Sequence, residues 1–188
     1  MDNDGLNNLA LRMTEAEYLA GEAVSEARRE YVGGLVLACE PSTVAHSLIG
    51  GNMLMALHSG VRGRGGLVYK SAMRLRLEQG GRVSYLYPDV MADFSEVDWH
   101  ATFVTTPCLI VEVMSAGTRR ADMVYKAAEY LSLPSLQGYL MVDSERRAAE
   151  LYRRISGSWQ LESVLDEISL PGVALNLNMD EIYGGVTF

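Results

Sequence analysis

Lysine is almost absent from this chain. Of 16 basic residues only Lys70 and Lys126 are lysines. Arginine carries the rest of the positive charge, so each lysine asks for its own explanation. Positive charge as a whole is also short: 24 acidic residues leave a net charge of −8, and the field of the whole molecule repels nucleic acid. Any nucleic-acid role must therefore rest on a local basic patch. Cysteine is scarce too. Cys39 and Cys108 lie in the apolar runs "LVLACE" and "PCLIVEV" without CxxC spacing, which argues for two buried thiols in a reducing compartment and against a bridge. His46 and His58 stand 12 residues apart, roughly 120° around an ideal helix, and His100 has no close partner, so the three histidines do not form a zinc site. No uninterrupted apolar stretch is long enough to span a membrane, and the first residues carry acids where a secretory signal carries positive charge. A cytoplasmic location is the expectation.

What is present is an apolar fraction of 48% over 188 residues, enough to build one core without staples. Residues 1–12 are polar and expected to be loose, and 13–188 are expected to form one domain. "TEAEYLA" opens a helix, with Thr14 and Glu17 at capping-box spacing. "REYVGGLVLA" reads as a hairpin about Gly33-Gly34. "STVAHSLIGGNMLMALHSG" places Val44, Leu48 and Met55 at helical spacing, with Gly60 as its stop. Its internal Gly50 and Gly51 each weaken the helix by about 1 kcal/mol relative to alanine, for which close packing is the expected compensation.

From Leu67 the period changes to that of a strand, followed by a Gly80-Gly81 hairpin whose "MRLRLE" alternates arginine with apolar residues. "PCLIVEVM" is a run that fills the centre of a sheet covered on both faces. "TRRADMVYKAAEYLSLPS" reads as an amphipathic helix, with Thr118 as N-cap and Pro134 beyond its end. "QGYLMVD" is a strand, "AAELYRR" and "SWQLESV" are a hairpin over Ser156-Gly157, and "MDEIYGG" is a short closing helix. The order predicts an α/β fold, a mixed central sheet flanked by helices.

Two carboxylates stand out against this apolar background. Asp89 follows Pro88 in "YLYPDVMADF", and proline marks a place where a strand begins or bends. Glu112 interrupts "LIVEVM", where an isolated charge is costly without a partner or a cation. If the two converge, their oxygens with a main-chain carbonyl near Val113 suit Mg²⁺ or Mn²⁺. Lys126 lies one helical turn from both Asp122 and Tyr130 and brings an ammonium group to that face. Each piece also has an ordinary structural reading: a turn aspartate, a glutamate paired with a buried arginine, a surface ion pair. Other chemistries lack support. Ser115 has no local histidine and no GxSxG elbow, "GRGG" lacks the Lys-Ser/Thr of a phosphate loop, and nothing sugar-specific accompanies the acids.

The succession "YPDV", "PCLIVEVMSAGT", "DMVYKAAEY" and "YLMVD" resembles the Uma-type family (Uma two) of restriction endonucleases, within the PD-(D/E)XK nuclease superfamily. The similarity runs from about Thr14 to near the C-terminus and includes Glu30 with Gly34 and the helical His46. It implies a restriction-endonuclease-like core in which Asp89 and Glu112 are metal ligands, Lys126 is the catalytic lysine displaced onto the following helix, and Glu30, His46 and Tyr130 are accessory. The place two residues after Glu112 is Met114, in agreement with that displacement. Two departures exist: Ala116 stands where the family has proline, and Gln137 with Gly138 replace an acid and a tyrosine. The implied activity is Mg²⁺- or Mn²⁺-dependent endonucleolytic hydrolysis of DNA. The residues themselves offer Arg62, Arg64, Lys70, Arg74, Arg119 and Arg120 as candidate nucleic-acid contacts, although alternating arginines on a strand ordinarily form a solvated face, and a homodimer is the usual expectation for a soluble assembly. The competing function is a nuclease fold kept as a binding or assembly module without turnover, which the acidic net charge favours.

Overall fold

The computed structural model describes residues 11–39, 41–115 and 125–188. Its strands form two six-stranded mixed sheets and a separate hairpin. In the first sheet the order is β1 (Leu11–Arg12), β3 (Leu35–Ala38), β2 (Arg29–Val32), β6 (Arg82–Leu86), β5 (Arg74–Gln79) and β8 (Phe103–Val104). Both of its hairpin loops are glycine pairs in the left-handed region, Gly33-Gly34 at φ +55° and +101° and Gly80-Gly81 at φ +58° and +77°. Positive φ at both central positions matches the twist of the strands they join. The second sheet runs β12 (Ser158–Val164), β11 (Ala149–Ile155), β10 (Gly138–Asp143), β9 (Leu109–Met114), β7 (Val90–Asp93) and β4 (Leu67–Lys70), with β9 and β10 parallel.

The single strand expected from Leu67 onward is therefore two. A turn closed by Met73 N–H on the Lys70 carbonyl sends β4 to the second sheet and β5 to the first. The reverse crossing occurs at Tyr87-Pro88-Asp89, where the chain leaves β6 in the first sheet and enters β7 in the second. Pro88 cannot donate to a ladder, so pairing stops there. Asp89 is thus placed where the two sheets part.

The second sheet is buried on both faces. Leu109, Val111 and Val113 share one face with Val90, Leu140 and Val142, and pack on Ile49, Met53, Leu57 and Val61 of α2 (Val44–Val61). The alternate residues Ile110 and Met114 share the other face with Met91, Tyr139 and Met141, against Leu75, Leu77 and Leu86 of the first sheet and Tyr130 of α3 (Ala127–Leu131). Period-two alternation puts Glu112 on this second face. It is the one charge in β9, 4% exposed.

Several expectations change. α1 (Glu15–Glu22) has the capping box, but in α2 the buried stripe is Ile49, Met53, Leu57 and Val61, while Val44 and Met55 are 78% and 73% exposed. No close packing compensates Gly50 and Gly51, since a Cβ at either meets nothing within 4 Å. Gly60 does not stop the helix, which continues to Val61; a Cβ at Gly60 lies 3.2 Å from Leu175. Cys39 is exposed and Cys108 half-buried, neither the buried thiol expected. Leu11 and Arg12 pair with β3, and the remainder of the expected loose segment, 1–10, lies outside the described residues. Thr118, Asp122 and Ala116 are also outside them. The hairpin β13 (Glu167–Leu170) and β14 (Leu175–Asn178) was not anticipated; it leads into α4 (Met179–Ile182), the short closing helix.

Candidate active site

The acids come together through the main chain of β9. Asp89 Oδ2 accepts the Val113 N–H at 2.8 Å, a bond that ties the residue just before the start of β7 to the strand beside it. The same oxygen lies 3.2 Å from His46 Nε2, in the first turn of α2. Thr43 caps that turn by accepting the His46 N–H. Asp89 is therefore held at the main chain of the residue that follows Glu112.

Glu112 Oε1 accepts the Tyr130 hydroxyl at 2.7 Å and lies 3.5 Å from Lys126 Nζ. The ammonium is closer still to Glu30 Oε1, at 3.0 Å. Glu30 comes from β2 of the first sheet; its Oε1 also accepts the Tyr87 N–H and its Oε2 the Tyr125 hydroxyl, each at 3.1 Å. Lys126 thus stands between a carboxylate of each sheet, and the tyrosines one residue before it and four after it each donate to one of those carboxylates. All three charges are nearly out of water, Glu30 at 5%, Glu112 at 4% and Lys126 at 7% exposure. Burial and the Glu112 carboxylate push the Tyr130 hydroxyl well above the ordinary tyrosine range, so it remains a donor. Neighbouring burial with Glu22 pushes Tyr87 up to about 12.

A clasp holds the element that carries these groups. Arg82, 51% exposed at its side chain, pairs with the buried Glu129 of α3 and so links that helix to β6. Gly33 makes room for it: a Cβ there would fall 2.6 Å from Arg82 Cδ.

Glu30 and Glu112 set two carboxylates against the single Lys126 ammonium, and Asp89 adds a third acid at the main chain of Val113. The donors of the cluster are carboxylate oxygens, a set that suits a hard cation keeping part of its water shell. Among the described residues no three His, Cys, Asp or Glu side chains are arranged to cage a metal. The Asp89 and Glu112 carboxylates are oxygen donors of the kind hard cations such as Mg²⁺ or Mn²⁺ prefer, whereas zinc favours nitrogen and sulfur.

The basic residues distribute otherwise than expected. Arg62 caps the far end of α2 and Arg64 follows it; sixteen residues separate Arg62 from His46, roughly 24 Å along the helix. Arg64 donates to the Val173 carbonyl and lies over the Phe94 ring at 5.2 Å. Neither is beside the acids. Arg74 donates to the Thr102 carbonyl and covers the Tyr85 ring at 5.7 Å. Lys70 is exposed on β4 opposite Val90, next to Asp89 in the chain, and is the described member of the set nearest the site by register. Arg119 and Arg120 lie outside the described residues. Sequence reasoning missed Tyr125 and the Tyr87 main chain. Only adjacency to Lys126 marked Tyr125, and nothing in composition marks a backbone N–H. Gly138, a departure from the family pattern, has a packing reason: a Cβ there would meet Pro171 at 2.6 Å.

The fold and this cluster define a nuclease-like α/β protein. A crystal structure described as a putative nuclease belonging to DUF820, from Anabaena variabilis ATCC 29413, superposes with a TM-score of 0.68 at 17% identity, over 85% of this chain and 91% of that one. The chain belongs to the Uma2 family, described as "Putative restriction endonuclease", whose model matches residues 15–180. Two similar proteins come from Synechocystis sp. (strain ATCC 27184 / PCC 6803 / Kazusa). Uncharacterized protein slr1290 is 28% identical over 94% of this chain and 94% of its own length. Uncharacterized protein sll1609 is 30% identical over 82% and 89%. None of the described helices is long and apolar enough to cross a membrane.

Proposed function

We propose that this protein is a Mg²⁺- or Mn²⁺-dependent endonuclease that hydrolyses phosphodiester bonds in DNA, and that it works in the cytoplasm. The observation that carries the reading is the pair of buried carboxylates, Glu30 and Glu112, on the single Lys126 ammonium, with Asp89 bonded to the main chain one residue past Glu112. Asp89, Glu112 and the Val113 carbonyl hold the cation, which when bound offsets charge on a phosphate and lowers the pKa of water.

The remaining parts have separate tasks. The Val113 N–H and His46 fix Asp89 Oδ2, and Tyr130 fixes Glu112 Oε1, so neither carboxylate has to reorganise as substrate enters. Glu30 holds Lys126 in place from the first sheet. The Lys126 ammonium places a positive charge beside the acids, where negative charge grows on the phosphate during attack. In the overall reaction the hydroxyl of water joins phosphorus and its remaining proton goes to the departing sugar oxygen.

A second reading, a nuclease fold that binds or assembles without cutting, is favoured by one observation: Arg64 and Arg74, offered as DNA contacts, are spent on carbonyls and aromatic rings. Nicking of supercoiled plasmid with Mg²⁺ or Mn²⁺ decides between them. Wild type should cut, and Asp89→Asn and Glu112→Gln should lose at least about a hundredfold in rate, the scale of a removed transition-state contact. A folded wild type that binds the cation yet leaves plasmid, linear duplex and single strands intact would establish the second reading.

A further inference from the structure

We propose that Arg154 and Trp159, neighbours across the outer hairpin of β11 and β12, are positioning residues for the acid cluster: they fix the end of α3, and through it the place of Lys126 and Tyr130. The proposal rests on the endonuclease reading only for the kinetic part of its test.

The helix that follows the ammonium is short. α3 has five residues, and Lys126 precedes it in helical conformation. So short a helix takes its placement from what its ends are tied to, because its own ladder is marginal. Helix ends leave carbonyls without partners inside the helix, and here the second sheet supplies the donors. Trp159 Nε1 donates to the Leu131 carbonyl at 2.9 Å. Arg154 Nη2 donates to the Leu133 carbonyl at 2.7 Å and reaches that of Leu131 at 3.4 Å, while its Nη1 donates to the Pro134 carbonyl at 2.8 Å. The two residues stand opposite one another in the hairpin register, and the guanidinium lies over the indole at 4.5 Å. A planar fork stacked on a ring and bonded to three carbonyls is fixed in direction, as a point charge is not.

The tie reaches the cluster by two routes. Along the helix, Leu131 is five residues from Lys126, about 7.5 Å of rise, so a shift at the tied end is carried to the ammonium between Glu30 and Glu112. Across the sheet, Tyr152 of β11 stacks on Tyr139 with ring centroids 6.1 Å apart, and Tyr139 meets Tyr130 edge-on at 5.2 Å. Tyr130 is the residue whose hydroxyl holds Glu112. Tyr152 and Arg154 share one face of β11, and alternation turns Arg153 to the other. There Arg153 is bonded to Glu162 at 2.7 and 3.1 Å and to the Ser169 carbonyl at 2.8 Å, which makes it a matched comparison on the same strand.

Lys70 and Lys126 are the only lysines in the chain, so NMR of protein labelled with ¹⁵Nζ-lysine reads Lys126 directly, and Lys70→Arg assigns its signal. Trp159→Phe, which keeps a ring and loses the N–H, and Arg154→Gln should each shift or broaden the Lys126 signal. Arg153→Gln should leave it in place. In plasmid nicking with Mn²⁺, Trp159→Phe and Arg154→Gln should lose roughly ten- to a hundredfold in kcat with KM within about twofold, the mark of a misplaced group rather than of weakened binding. A Lys126 signal unchanged in either variant while that variant is folded by circular dichroism overturns the proposal, as does an equal displacement by Arg153→Gln. Loss of fold in both variants also overturns it, by making the pair structural supports and no more. If wild type does not nick, the endonuclease reading fails and the NMR comparison decides the positioning role by itself.

Discussion

Lys126 is held by charge on two sides, and the arrangement sets the consequences of removing it. Glu30 and Glu112 each lie within 3.5 Å of the ammonium and are at most 5% exposed. Lys126→Met leaves two buried carboxylates facing one another, a defect worth about 3–5 kcal/mol. Adding Glu30→Gln should recover a substantial part, since the second substitution removes the uncompensated charge. Urea denaturation of the single and double variants measures the coupling, and additive effects would mean that the two groups do not interact. The acids themselves were legible in the sequence, because a carboxylate inside an apolar run is costly unless answered. Their answering partners were less so. Tyrosine is equally at home in a core, so only its place beside Lys126 marked Tyr125, and Arg64 and Arg74 were candidate nucleic-acid contacts by charge alone, which does not tell that a guanidinium packs on a carbonyl and a ring.

At the scale of elements, the local signals predicted the local structures. Glycine pairs gave both hairpins of the first sheet, and Thr14 with Glu17 gave the cap of α1. Sheet membership is a long-range property, so the division of 67–79 into β4 and β5 left no trace in periodicity. The orientation of α2 was illegible for a related reason: a helix apolar all round has no preferred side, and Val44, Leu48 and Met55 fit a helical period as well as the residues that are buried. The same helix allows a clean stability test. Gly50 has open space around the position of a Cβ. Gly50→Ala should therefore raise the unfolding free energy by about 1 kcal/mol through helix propensity and reduced unfolded-state entropy. A loss of stability in equilibrium denaturation would place an unseen contact there.

At the scale of the whole molecule, residues of the two sheets share one core cluster, Leu75, Leu77 and Leu86 of the first with Ile110, Tyr139 and Met141 of the second. At Tyr87-Pro88-Asp89 the chain passes from one to the other, and the site uses Glu30 of the first sheet, Glu112 of the second and Asp89 of the crossing. Integrity of the site is thus a property of the complete fold. Buried tyrosines report on it. Burial holds Tyr130 well above the ordinary value of 10 and pushes Tyr87 and Tyr183 up to about 12. Because the folded values are raised, their contribution to stability is fully present below pH 10 and is lost as pH rises through the folded values. Stability should hold to about pH 9 and fall above 10, with phenolate absorbance from these residues appearing together with loss of circular dichroism. Phenolates that titrate near 10 in an intact fold would show those hydroxyls to be wet.

The acidic excess at the meeting of β7 and β9 is the claim on which the functional account stands, and calorimetric titration with Mn²⁺ measures it without requiring a substrate. Wild type should bind at the cluster, and Asp89→Asn and Glu112→Gln, both folded by circular dichroism, should each abolish that heat. Absence of binding to wild type, or binding unchanged in both variants, would contradict the account.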